Sequence, residues 1–310
     1  MAALITHHLF GQSAIADIPD AKDWSTGELE AFLIGQQGPD PFFYAYLSAN
    51  GSVCRTFGDL LHSRKINRTF ERMRAIVSLF EGKDRAIAHA YSLGFLAHFT
   101  LDSVVHPFVF AQQHALVLAN DELVDASSEV HSVIEADLDS MMLWRLAGMT
   151  PEEIRVADVL SASDEVLDVV GRLFARLGRE VYSLDIKPTD YPRAIRDFRL
   201  LVDLIESDLP LRIVAPIERL IRKHSHLQAL SHRSDIFDTT PADNTEGYPW
   251  EHPFVADVTS EASFHELFDE ALASYGNRVA SFTSGAAAPT FTHDLNYSGI
   301  PLVDDRPVIA

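Results

Sequence analysis

A single cysteine, Cys54, excludes an intrachain disulfide framework in this chain of 310 residues. That scarcity fits a reducing compartment, and Cys54 reads as a structural or surface thiol. Strand signals are nearly absent: no Val/Ile/Thr alternation flanks Asn-Gly turns, which argues against a sandwich or barrel. No stretch approaches the roughly 18–20 uncharged apolar residues of a membrane span. The opening Met1-Ala-Ala-Leu-Ile-Thr-His-His has neither the basic region nor the apolar run of a secretory signal. A cytoplasmic protein without a transmembrane segment is therefore expected. Positive charge is also short, with 25 Lys and Arg against 45 Asp and Glu, a net charge of −20. Repulsion of polyanions argues against stable nucleic-acid binding. No repeat at solenoid spacing and no sustained heptad seam is present, so the oligomeric state stays open.

Helical periodicity dominates, and 47% of the residues are hydrophobic, enough for a substantial core. The pattern predicts an all-α chain. Helices are expected near Gly11 to Ile18, Leu29 to Gln37, and over 59–80, 84–118, 122–147, 161–181, 190–207, 210–231 and 261–281. A start signal, Ser25-Thr-Gly-Glu28, precedes the second, and Thr150-Pro-Glu-Glu153 looks like the start of a short one. Gly38-Pro39-Asp40-Pro41 breaks the chain and puts Asp40 on a turn. The expected division is a helical metal-binding core over 1–235 and a C-terminal extension over 236–310. That extension carries one helix packed on the core and an irregular tail, 284–310, that wraps the surface or frays.

The most informative run is Leu93-Gly-Phe-Leu-Ala-His98-Phe-Thr-Leu-Asp102-Ser-Val-Val-His106-Pro107. His98, Asp102 and His106 stand four residues apart, so a helix stacks them along one face. Burying such a stripe among apolar residues is costly unless it binds something. His131-Ser-Val-Ile-Glu135 repeats the spacing. Facing helices with His and carboxylate at this interval are how an all-helical protein builds a polynuclear metal site. Pro107 should bend or end the helix and re-aim His106. Further contributors are His7 or His8, Asp40 and His62. With so little cysteine, imidazole and carboxylate ligands suit zinc, although iron or manganese would accept several of them. Clustered without cations, Asp40, Asp102 and Glu135 would resist sharing one dry site. Two or three zinc ions would turn it into a positive pocket suited to phosphate oxygens, with Asp102 as a bridge. His89 and His114 read as surface or supporting positions. His224, His226 and His232 read as the exposed end of a helix, and Asp137 and Asp139 as solvated or supporting. Phe42, Phe43 and Tyr44 read as core.

In order, Thr6-His7-His8-Leu-Phe-Gly11, Ile34-Gly-Gln-Gln-Gly-Pro-Asp40-Pro-Phe-Phe-Tyr44, Leu61-His62, the His98 run and His131-Ser-Val-Ile-Glu135-Ala-Asp-Leu-Asp139 resemble the zinc-dependent phospholipase C family. Pro249-Trp250-Glu-His-Pro253 ahead of Phe264-His-Glu-Leu-Phe268 is similar to its C-terminal segment. The resemblance covers about residues 4–280 and is strongest with members lacking an export signal. It implies an all-α, multi-helix bundle around a polynuclear zinc site, shared with single-strand-specific nucleases. It also implies hydrolysis of a phospholipid or other phosphoric diester. Carried over, His62, His98, Asp102 and Asp40 would hold one zinc, and His106, His131 and Glu135 a second. Asp102 would bridge to a third taking His7, and Asp40 would be the base for the attacking water. Unlike secreted members, the chain has no tryptophan at its start, so two or three zinc ions are expected. Rival readings are a nuclease-like phosphodiesterase and a non-catalytic protein in which zinc only holds the bundle together.

Overall fold

The computed structural model describes residues 3–206, 231–233 and 235–308. It is mostly helical. Helices α1 (Leu4–Ala14), α2 (Thr26–Gly35), α3 (Gly51–Ser63), α4 (Ile66–Val77), α5 (Gly82–Ala119) and α6 (Ser127–Ala147) make the first half. They are followed by α7 (Asp164–Leu177), α8 (Asp190–Glu206), α9 (Phe264–Thr283) and the one-turn α10 (Pro289–Thr292). Among the described residues, strands are confined to two antiparallel pairs of two-residue segments, Trp250–Glu251 with Thr259–Ser260 and Leu302–Val303 with Arg306–Pro307. The helix expected over 210–231, with His224 and His226, lies outside the described residues.

Local chemistry fixes several boundaries. Ser25 caps α2 and Ser263 caps α9, each in a reciprocal box with the glutamate three residues on. Gly148, left-handed at φ 65°, ends α6. Elsewhere the structure departs from the sequence pattern. The helix placed near Gly11 starts at Leu4, so His7 is helical. The 59–80 run is two helices, α3 and α4, broken at Lys65, whose φ is 57° and whose Nζ reaches Val181 O at 2.8 Å. The helix expected to yield at Pro107 continues to Ala119.

Helix α5 is the axis of the fold. It packs on α1, α2, α6, α7 and α9 and buries Phe95, Phe99 and Phe108 completely. By length and composition α5 could cross a membrane, contrary to the expectation from sequence, and most of that stretch is buried under its neighbours. Edge-on aromatic contacts of Phe70 with Phe95, Phe99 and Phe291 tie α4, α5 and α10 together. Buried residues on either side of position 235, from Phe95 to Tyr275 and Tyr297, belong to one continuous core.

The start of α1 is clamped to α6. Asp139, 1% exposed, accepts the amides of Ile5 at 2.9 Å and Thr6 at 2.7 Å, satisfying two donors of the first turn with a carboxylate. His232 lies behind it, with Nε2 3.0 Å from Asp139 and Nδ1 2.7 Å from Glu206. Of the two roles open to Asp139, solvated or supporting, it takes the supporting one, whereas the His232 imidazole is 2% exposed rather than free at a helix end. Asp137 is also buried, beside Arg233. Burial pushes the His232 imidazole down, but the two carboxylates outweigh it and lift it to about 9. The raised value means that its contribution is complete below about pH 6.5 and lost as pH rises through about 9, worth up to about 3 kcal/mol. Chemical denaturation of wild type and His232→Gln across that range should give a stability difference that shrinks at alkaline pH; a difference that does not change with pH would contradict the pairing.

Candidate metal centre

Eight side chains from five segments meet at the middle of α5. His98, Asp102 and His106 lie on α5, and His131 and Glu135 on α6. His7 comes from α1, His62 from the last turn of α3, and Asp40 from the 3-10 turn Asp40–Tyr44 after α2. Three groups could each hold a metal ion: His7, His98 and Asp102; Asp40, His62 and His98; and His106, His131 and Glu135. Within each, one ligand atom per residue lies within 4.8 Å of the others. Donors around a tetrahedral zinc at ~2.1 Å stand roughly 3.4 Å apart. The spacings here bracket that. His98 Nε2 is 3.1 Å from Asp102 Oδ2, His62 Nε2 2.8 Å from Asp40 Oδ1, and His7 Nε2 2.9 Å from Asp102 Oδ1. Glu135 Oε1 is 3.2 Å from His131 Nε2 and 3.5 Å from His106 Nε2. His8, the alternative to His7, turns away to Gln12.

The histidines are aimed by their other ring nitrogen. Nδ1 of His62, His98 and His106 lies 2.8 Å from the carbonyl oxygens of Gly58, Gln36 and Tyr297, respectively. A carbonyl only accepts, so Nδ1 carries a proton, and in the neutral ring Nε2 is the lone pair offered to an ion. His131 Nδ1 does the same toward Gln113 Oε1 at 2.8 Å, and Gln113 is held by Ser127. This is the arrangement that orients metal-binding imidazoles. Gly38 makes the His98 contact possible. Its φ is 49°, and a Cβ there would come within 2.3 Å of His98 Cδ2, so only glycine lets the turn close over the ring.

Without cations the centre has too many acceptors. His98 Nε2, Asp40 Oδ2 and Asp102 Oδ2 are buried and make no hydrogen bond, a costly condition in a dry interior. Burial pushes Asp102 up, but the imidazoles of His106, His98 and His7 together hold it well below the usual carboxylate range. Burial lowers His106, yet Asp102 and Glu135 raise it to about 9. A bound divalent ion would take the place of those protons, and the donor set of nitrogen and carboxylate oxygen fits one. The site is not sealed: the side chains of His62, His106 and His131 are 18%, 14% and 16% exposed. Phe43 stacks on His62, and Phe110 lies 4.9 Å from the His131 ring. Phe42 and Tyr44 are core, as read. Cys54, fully buried, with its thiol pushed up to about 12 by burial and by Asp190, takes no part.

Sequence reasoning missed the supports. Gln113 was accessible, since it falls seven residues after His106 on the same helix face. Tyr297 carried no such signal, and neither did the carbonyls of Gln36 and Gly58. Comparison of the chain with protein-family models, curated proteins and solved structures finds no match.

Zinc added to the metal-free protein near neutral pH, at about pH 7, should release protons, because His106 is then charged. An indicator dye in weak buffer measures this. Asp102→Asn should bind less zinc and release fewer protons; unchanged zinc content in that variant would contradict the shared role of Asp102.

Proposed function

We propose that the chain is a zinc-dependent hydrolase of phosphoric diesters. The supporting observation is the set of buried polar atoms without a hydrogen bond on His98, Asp40 and Asp102, converging with imidazoles held at Nδ1 by backbone carbonyls. Zinc in such a set supplies positive charge for phosphate oxygens and acidity for a water. Imidazole with carboxylate and no thiolate favours zinc among the common ions.

Two features favour catalysis over a purely structural centre. No group offers the four protein ligands of a closed structural zinc, and His98, with one nitrogen free of the Gln36 carbonyl, is shared by two of the groups. The outer histidines also retain contact with solvent. Asp40 has the placement of a general base: it is 2% exposed, its Oδ1 is engaged by His62, and its Oδ2 is unengaged and able to accept a proton from water. The carbonyl-held imidazoles keep the acceptor geometry fixed while that proton moves. The aromatic rim, Phe43 and Phe110, and the net charge of −20 favour a small or lipid diester over a polyanion.

Metal analysis followed by hydrolysis assays tests the reading. Purified protein should carry zinc and cleave a phospholipid headgroup diester or a small aryl phosphodiester in preference to single-stranded DNA. Chelation should abolish activity and zinc restore it, and Asp40→Asn should lower the rate by roughly 10²–10⁴-fold. Full activity after exhaustive chelation would refute it. A zinc protein inert on every diester would favour the structural role.

A further inference from the structure

The tail expected to wrap the surface or fray enters the centre instead. Residues Leu295–Leu302 close on themselves. Asn296 Oδ1 accepts the amides of Ser298 and Ile300, each at 2.9 Å, and the Asn296 amide donates to Ile300 O at 3.0 Å. This unit is pinned on both flanks to the α3–α4 corner that follows His62. On one side Asn67 Nδ2 donates to Asp294 Oδ1 at 2.6 Å. On the other, the Asp305 carboxylate accepts the amides of Asn67 and Arg68 at 3.0 and 3.1 Å, capping the first turn of α4.

Its opposite edge enters α5 at Pro107. Proline offers no amide to the carbonyl four residues back, that of Ser103. Gly299 lies in the resulting notch, at φ 71°; a Cβ there would come within 2.5 Å of Pro107 Cγ and 3.0 Å of Ser103 O. Between these anchors stands Tyr297, 1% exposed. Its amide donates to His62 O at 3.3 Å and its carbonyl accepts from His106 Nδ1 at 2.8 Å. Its ring lies 4.9 Å from the His62 ring and 5.6 Å from that of His98. One residue thus touches ligands of both outer groups, Asp40–His62–His98 and His106–His131–Glu135.

We propose that Leu295–Leu302 is a strap that fixes the two outer metal positions relative to each other, with Tyr297 as its positioning residue, so that filling one position prepares the other. The proposal rests on the metal reading above. Tyr297 spans the two histidines through its own amide and carbonyl, so a shift at His62 is passed directly to His106. The ring acts as the anchor of that peptide. The hydroxyl makes no hydrogen bond and is not needed for it. Tyr297→Ala keeps the carbonyl but removes what anchors it; disturbing a partner that orients a metal-binding imidazole costs about 10–100-fold in metal affinity.

The experiment is a zinc titration of the full chain against a chromophoric chelator, for wild type, Tyr297→Phe, Tyr297→Ala and Gly299→Ala. Circular dichroism of each metal-free variant establishes that it is folded. Tyr297→Phe should bind as wild type does. Tyr297→Ala and Gly299→Ala should bind roughly 10–100-fold more weakly and lose cooperativity between the first two ions. Tyr297→Ala opens space rather than filling it, which keeps the test valid where Gly299→Ala fails to fold. Wild-type affinity and cooperativity in folded Tyr297→Ala overturn the strap alone, as does Tyr297→Phe failing as badly as Tyr297→Ala. A wild-type chain that takes up no zinc overturns the metal reading and the strap with it.

Discussion

Acceptors face acceptors at the centre of this protein, and the rest of the fold is arranged to keep them there. Nε2 of His98 lies 3.1 Å from a carboxylate oxygen of Asp102. In water such a contact would dissolve by rotation. Here the rings of His62, His98, His106 and His131 are each fixed through Nδ1 to a carbonyl oxygen, and the carboxylates by imidazoles. The favourable partner for such a set is a multivalent cation. Helix α5 contributes the middle of the set, and the burial of His98 and Asp102 under its neighbours removes most of the solvent that would otherwise neutralise them.

The supports come from the ends of the chain. Asp139 clamps the start of α1 and so sets the height of His7, and it is itself held by His232. Gln113 fixes His131. Tyr297 reaches His62 and His106 from the C-terminal segment. A turn closed over His98 by Gly38 completes the enclosure. His131 and His106 are thus aimed from elements other than their own, by Gln113 of α5 and by the C-terminal segment, so mispacking at a distance would be felt at the site.

What could be read from the sequence was periodic or local. The four-residue spacing of His98, Asp102 and His106 needs only a helix to become a stripe, and His131 with Glu135 repeats it. The box at Ser25 and the break at Gly38-Pro39 are decided by near neighbours. What escaped was set by contacts across the fold. Lys65 breaks the 59–80 pattern with its side chain on Val181 and its backbone against Asp305. Pro107 stays helical, with the tail packed into the notch it leaves. Tyr297 lies 191 residues from the histidine it orients, beyond any spacing rule. His232 looked like a solvated helix end because its acidic partners are remote in sequence.

The contact between His106 and the Tyr297 carbonyl also bears on the order in which the fold can close. All eight convergent side chains lie within the first 135 residues, whereas the oxygen that aims His106 comes 191 residues after it. Contacts between positions so far apart in sequence are the slow ones to form, because the loop-closure entropy comes before the reward. A chain collapsed around α5 therefore acquires a directed His106 only when this remote contact is made.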